Sequence, residues 1–249
     1  MAIFKKRIKA KLDEAEQMRI VEECSLKHIA FIMDGNGRWA TSRSLPREVG
    51  HSKGAATFKH IVGRCHDLGI STVTVYALST ENLKLRPEKE INALMRILDS
   101  YIKEAEEDRE KNNIRFIFIG DIDGLGEKMA GKCRHLSEIT KDCDLTLNLA
   151  LNYGGRAEIA RAASNLAKKG MTDITEDDIS SEMYTVQSPD PDLIVRTAGE
   201  ERLSNFLLWQ CAYSEFYFTD ALWPDFNDGA LSLAIESFGK RKRKYGAVK

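Results

Sequence analysis

Proline is scarce, 5 in 249 residues, and no Pro/Gly/Ser-rich linker interrupts the chain, so one large α/β domain is expected rather than two small ones. The 5 cysteines are odd in number and form no Cys-x-x-Cys pair, which points away from both a disulfide framework and a zinc site. No apolar run approaches the roughly 18–20 residues of a membrane span, and residues 1–20 are too charged for a signal peptide. A cytoplasmic protein is expected. A formal net charge of −1 removes any bulk electrostatic argument for nucleic-acid binding. What is left, 43% hydrophobic and 30% charged, is the composition of a globular protein able to bury a core.

Apolar periodicity supplies the layout. Residues 29–33 form a short buried-type run, and β-branched residues dominate 72–78. Further strands are expected at 114–119, 145–151, 192–195 and 216–218, with helices over 52–68, 88–107 and 125–139 and another through Ile159, Ala163 and Leu166. Six strands alternating with helices predict a single domain with a central, mostly parallel sheet flanked by helices on both faces. Residues 1–27 are set apart as a basic helical extension, because Lys5, Lys6, Arg7, Lys9 and Lys11 alternate with Ile3, Phe4, Ile8 and Leu12 in a pattern suited to an anionic lipid surface or to solvent. The main domain is expected over 28–249.

Parallel topology gathers the loops that follow strands on one edge, and four of them carry unusual chemistry. In the first, Asp34, Gly35, Asn36, Gly37 and Arg38 follow a buried strand. The glycines let backbone approach an anion, Asp34 offers hard oxygens to Mg²⁺, and Arg38 offers a planar donor fork for phosphate. The others are Ser79-Thr80-Glu81-Asn82, residues 152–156, and Arg196-Thr197-Ala198-Gly199-Glu200. Arg47 with Gly50 and His51 is expected just before the second helix, whose free N–H groups would face the same space. Arg196 and Arg202 with Ser204 make a second cationic cluster. Two arginine clusters and one carboxylate loop suggest two diphosphates, one with a metal. The spacing Gly35-x-Gly37-x-x-Ala40 also fits a loose dinucleotide fingerprint, but no acidic residue stands about 20 positions on at a strand end, as that reading requires.

Carried by residues 28–40, Gly50-His51-x-x-Gly54, Ser79-Thr80-Glu81-Asn82, residues 148–156 and the run from Arg196 to Phe226, the chain resembles the cis-prenyltransferases. The resemblance implies a homodimeric α/β enzyme that condenses isopentenyl diphosphate with an allylic diphosphate, farnesyl or similar, to give a cis-polyprenyl diphosphate of the undecaprenyl type. By residue match it implies Asp34 with Mg²⁺ at the allylic diphosphate, surrounded by Gly35, Asn36, Gly37, Arg38, Trp39 and Arg47. It implies Arg196, Arg202 and Ser204 at isopentenyl diphosphate, with Glu81 and Arg86 from the neighbouring loop. His51, Ser79 and Asn82 would orient that substrate and pass on its proton, and Glu215 would reach the metal across the dimer. Peripheral membrane contact for product release is a further implication. No Asp-Asp-x-x-Asp motif occurs, and Asp177-Asp178 sits in a sequence suited to a helix start, which argues against the trans-prenyltransferase class.

Two departures bear on product rather than reaction. Leu83 stands where the family has Trp, and 84–87 is one residue longer than usual before Pro87. Ala198 replaces a glycine of the usual Thr-Gly-Gly-Glu. A short-chain cis-prenyl diphosphate synthase is the nearest alternative, followed by a non-catalytic partner subunit of a heteromeric enzyme, against which the presence of Asp34, Arg38, Arg47 and His51 weighs.

Overall fold

The computed structural model describes residues 12–241. The basic segment at 3–11 lies outside the described residues. The elements run α1 (Glu14–Glu23), β1 (His28–Ile32), α2 (Asn36–Thr41), α3 (Arg47–Asp67), β2 (Thr72–Ser79), α4 (Thr80–Leu85), α5 (Glu88–Glu107), α6 (Arg109–Asn112) and β3 (Ile114–Ile119). Then follow α7 (Glu127–Ile139), β4 (Leu145–Tyr153), α8 (Gly155–Lys168), α9 (Glu176–Ser181), β5 (Leu193–Arg196), β6 (Glu215–Phe218) and α10 (Asp228–Gly239).

Six strands form one sheet in the order β3-β4-β2-β1-β5-β6, and every neighbouring pair is parallel. Strand residues alternate between two cores. Ile29, Phe31, Val73, Val75 and Val195 face one, with Phe58, Ile61 and Ile102 of α3 and α5; Ala30, Ile32 and Ile194 face the other, with Phe206 and Leu207. Burial on both faces is why these strands read as continuous apolar runs. α1 packs on α10, where a Cβ on Gly239 would come within 2.7 Å of Ile20, and Val21 joins the larger core.

Chain order reverses at β1: β2 lies on one side and β5 on the other. Ligands of open α/β sheets bind beyond the carboxyl ends of strands at such a switch point. Here those ends carry Asp34 and Arg196.

Two placements differ from expectation. α3 begins at Arg47, not near residue 52, so Gly50 and His51 lie inside the helix. Pro46 at its N-cap is pre-organised for a helix start, and Gly50 serves a close approach: a Cβ there would lie 2.1 Å from the Asn36 carbonyl oxygen. The Ser79 loop is also helical from its second residue, because Ser79 ends β2 and caps α4, its Oγ accepting from the Asn82 N–H at 3.0 Å. The strands at 145–151, 192–195 and 216–218 shift by one or two residues, to Leu145–Tyr153, Leu193–Arg196 and Glu215–Phe218.

Candidate active site

Asp34 stands two residues beyond β1, its carbonyl accepting from the Thr197 hydroxyl at 2.7 Å and the Trp223 N–H at 3.0 Å. One carboxylate oxygen accepts from the Gly35 N–H at 2.6 Å, and the other accepts from Arg196 Nη2 at 3.0 Å. Arg196 is 4% exposed at its side chain and also donates to Ser204 Oγ at 2.7 Å and to the Arg202 carbonyl. Arg38 lies 3.6 Å from Asp34 and 3.4 Å from Glu200, which also pairs with Arg202. The two clusters that the sequence kept apart are therefore one charge network, joined at Asp34 and Arg196.

A second network centres on Glu90, which sequence reasoning missed. Its carboxylate accepts from Arg47 at 3.3 and 3.4 Å and from Arg86 at 2.7 Å, and it lies 2.9 Å from His51 Nε2. Burial alone would raise the Glu90 carboxyl, but the hydrogen bonds from His51 and Arg47 and the Arg86 charge hold it below the ordinary value. Burial also lowers His51; the Glu90 bond opposes this, Arg86 and Arg47 add to it, and the imidazole stays neutral near pH 7. The available signal was position, since Glu90 opens a helix three residues after Pro87. An acid in a first turn reads more readily as a partner of the helix dipole.

Asn205, also missed, ties the remaining loops together. Its amide donates to Glu81 at 2.9 Å, its side-chain oxygen accepts from the Arg156 N–H at 2.8 Å, and its carbonyl accepts from the Gly155 N–H at 2.7 Å. Backbone strain collects nearby: Ala198, Ser204, Asn205 and Leu207 all have positive φ, from 43° to 75°.

These groups surround the mouth of a cavity of about 670 Å³. Asp34, Asn36, His51, Ser79, Glu81, Asn82, Arg86, Arg196, Arg202 and Ser204 line it, and its depth is apolar, with Phe58, Leu94, Leu98, Leu149 and Leu151. Gly35, Gly37, Arg38 and Arg47 are held around the mouth: a Cβ on Gly37 would come within 2.6 Å of the Arg47 guanidinium, and one on Gly35 within 3.0 Å of Ala198.

Two expected residues lie elsewhere in the chain. Trp39 takes no part in the lining, because its indole donates to Asp225 at 2.8 Å and the Arg43 guanidinium lies 4.2 Å from its ring centroid. Glu215 pairs with Arg241, and its register opposite Leu193 places it at the amino end of β6, whereas Asp34 lies beyond a carboxyl end. Asp177 and Asp178 open α9, where Asp178 closes a capping box with Thr175.

Among the described residues no three His, Cys, Asp or Glu side chains converge as a metal cage. Asp34, a third exposed, offers carboxylate oxygens beside the Arg38 and Arg196 guanidiniums and the Gly35 N–H. That donor set fits Mg²⁺, which is commonly held by one or two carboxylates together with substrate phosphates and water.

A family model described as "Putative undecaprenyl diphosphate synthase" matches residues 32–246. The chain is 49% identical over 224 residues to an isoprenyl transferase of Fusobacterium nucleatum, covering 90% of this chain and 96% of that one. It is 46% identical over 244 residues to an isoprenyl transferase of Clostridium perfringens, covering 95% and 96%. Among solved structures, lavandulyl diphosphate synthase from Lavandula x intermedia, in complex with dimethylallyl diphosphate, superposes with a TM-score of 0.85 at 36% identity, covering 90% of this chain and 100% of that one. A probable undecaprenyl diphosphate synthase from Campylobacter jejuni gives 0.75 at 38% identity, covering 89% and 99%. The chain belongs to the undecaprenyl diphosphate synthase family and is a prenyltransferase of cis-prenyl chain elongation.

Proposed function

We propose that this member of the family condenses isopentenyl diphosphate with an allylic diphosphate, farnesyl diphosphate or a similar primer, using Mg²⁺. The carrying observation is the joined network of Asp34 and Arg196 at the mouth of a cavity whose depth is hydrocarbon-lined. Two diphosphates can be held at the charged mouth while the tail lies in the dry interior.

In the reaction the allylic C–O bond breaks, a carbon–carbon bond forms to the isopentenyl double bond, and one proton leaves. Arg38, Arg47 and the N–H groups after Gly35 stabilise the charge that grows on the departing diphosphate. Asp34, with substrate phosphate oxygens, would hold Mg²⁺, which would neutralise charge on the departing diphosphate. Arg196, Arg202 and Ser204 hold the isopentenyl diphosphate. Neutral His51 with Ser79 and Asn82 lines the same cavity and takes the proton toward a diphosphate oxygen.

A second copy of the chain would bring Glu215 to the metal, which accounts for its distance from Asp34 within one protomer. The enzyme works from the cytoplasm and passes its product to the membrane surface; among the described residues no helix is long and apolar enough to cross a bilayer. An undecaprenyl-type product follows from the family. A short-chain product is the second reading, favoured by the cavity's modest volume.

Purified protein incubated with labelled isopentenyl diphosphate, farnesyl diphosphate and Mg²⁺ should give labelled polyprenyl diphosphates, and EDTA should stop their formation. No extraction of label into the lipid phase would overturn the reading.

A further inference from the structure

Two cavities lie along one groove between α3 and α5. The first takes residues His51 to Phe58 of α3 and Leu94 to Tyr101 of α5. The second, about 380 Å³, takes Lys59 to Asp67 of α3 and the stretch from Tyr101 to just past the end of α5. Tyr101 is the one residue common to both linings.

Its ring is braced as a partition. Phe58 meets it edge-on at 5.1 Å between centroids and Phe116 at 5.9 Å. The Lys59 amine lies 5.5 Å from its centroid and is itself paired with Glu104 on the next turn of α5. Burial holds the phenol well above its ordinary pKa, so it stays neutral. Beyond the ring the walls are still partly apolar, with Val62, Ala105, Ile114 and Phe116, while Asp67 and Lys111 mark the rim.

A prenyl chain grows at its diphosphate end, so each condensation pushes the far end of the tail deeper along α5. From Glu90 to Tyr101 is about 16 Å of helix at 1.5 Å per residue. The first cavity falls within the roughly 300–1,000 Å³ of pockets that enclose a drug-sized ligand, and Tyr101 stands at its far end along α5. A longer tail has to displace this ring and the contacts that brace it.

We propose that Tyr101 sets product length: growth stops when the tail reaches its ring, and the second cavity is the space its removal opens. This rests on the reading that the first cavity holds the tail.

The test sizes dephosphorylated products made from farnesyl diphosphate and labelled isopentenyl diphosphate by the parent, Tyr101→Ala and Tyr101→Phe. The Ala variant should make a main product longer by one or more isoprene units, and the Phe variant should match the parent. Should Tyr101→Ala fail to give the parent's circular dichroism, Tyr101→Leu takes its place, since it still vacates the ring's volume. If the parent elongates but the truncated variant's products are no longer than its own, or if Phe lengthens them equally, Tyr101 is not the stop. A parent that makes no elongated product refutes the underlying reading instead.

Discussion

His51 Nε2 lies 2.9 Å from Glu90 Oε1, and because an ionised carboxylate can only accept, the imidazole carries its proton on Nε2 and keeps the Nδ1 lone pair as its acceptor. Arg86 Nη1, 3.4 Å from the same nitrogen, is then a charged neighbour rather than a donor to it. Glu90 thus fixes the tautomer in which His51 can take a proton. We expect Glu90→Gln to lower kcat by about 10–100-fold, as loss of a partner that orients a histidine commonly does. Glu90 also raises the His51 pKa against burial and two arginines, so removing its charge should move the acid limb of the pH–rate profile to lower pH. A limb that moved upward would refute the assignment.

The shared network predicts unequal roles for the two arginines. Arg202 is 61% exposed at its side chain and pairs with Glu200, so Arg202→Ala should raise KM for isopentenyl diphosphate by about 10–100-fold with little change in kcat. Arg196 also holds Asp34, so Arg196→Ala should raise that KM and lower kcat together. Steady-state kinetics with each substrate varied in turn separates the two patterns. Equal effects would mean that the Asp34 contact has no part in turnover.

How much of this was legible in sequence depended on what each signal physically is. Strand β1 showed because burial on both faces leaves a continuous apolar run, β2 to β4 because they are rich in β-branched and apolar residues although the edge strand β3 is only partly buried, and α5 because Ile91, Leu94, Leu98 and Ile102 repeat at helical spacing. The helices α2 and α4 were hidden because each has only 6 residues, too few for an apolar periodicity to show. Gly50 was expected just before the second helix, whereas it lies inside α3 and admits the Asn36 backbone. Most of the expected site residues gather around one cavity mouth, and the signal for them was glycine, carboxylate and arginine directly after a buried strand. Their pairing was not, because the contact between Asp34 and Arg196 depends on β1 lying beside β5, and strand order leaves no local trace.

Ala198 occupies φ 75° where the family pattern has glycine. A side chain in that conformation costs roughly 1–2 kcal/mol. Ala198→Gly would relieve it but lose about 0.8 kcal/mol of methyl burial and about 0.5–1 kcal/mol to the freer unfolded chain. These offset, and urea unfolding should find the variant within about 1 kcal/mol of the parent. Ala198→Val should cost more than about 2 kcal/mol, because a branched Cβ meets both the backbone strain and the close Gly35.

His28, the first residue of β1, is buried, with Nδ1 2.7 Å from the Pro189 carbonyl and Nε2 2.7 Å from the Thr74 hydroxyl. The carbonyl accepts from Nδ1–H and the hydroxyl donates to Nε2, which is the neutral ring; burial lowers its pKa to about 4. The unfolded chain binds this proton near pH 6.5 and the folded one only near 4. Stability is therefore full above about pH 6.5 and declines as pH falls toward 4, by about 3 kcal/mol in all. His51 contributes in the same direction. The difference in unfolding free energy between parent and His28→Gln, measured from pH 7 to 4.5, should shrink as pH falls. A constant difference would show that folding does not shift the His28 pKa.

Ala77 tests the tunnel from its open end. The pairing of β2 with β4 slips between Tyr76, opposite Ala150, and Leu78, opposite Leu151, so Ala77 is an extra residue in the ladder. Such a bulge re-aims a side chain, and Ala77 lines the cavity between the charged mouth and the apolar depth. Its methyl leaves room that a larger group would take. Ala77→Leu should shorten the product while leaving the first condensation intact, because the added atoms obstruct the tail and touch neither diphosphate group. Chromatography of the chains decides it: a distribution identical to the parent's, with unchanged circular dichroism, would place Ala77 outside the tail's path. Combined with Tyr101→Ala, the two changes act at opposite ends of one cavity. If the tail runs from one to the other, the double variant should make short products, since an obstruction near the mouth is met before any space opened at the far end can be used.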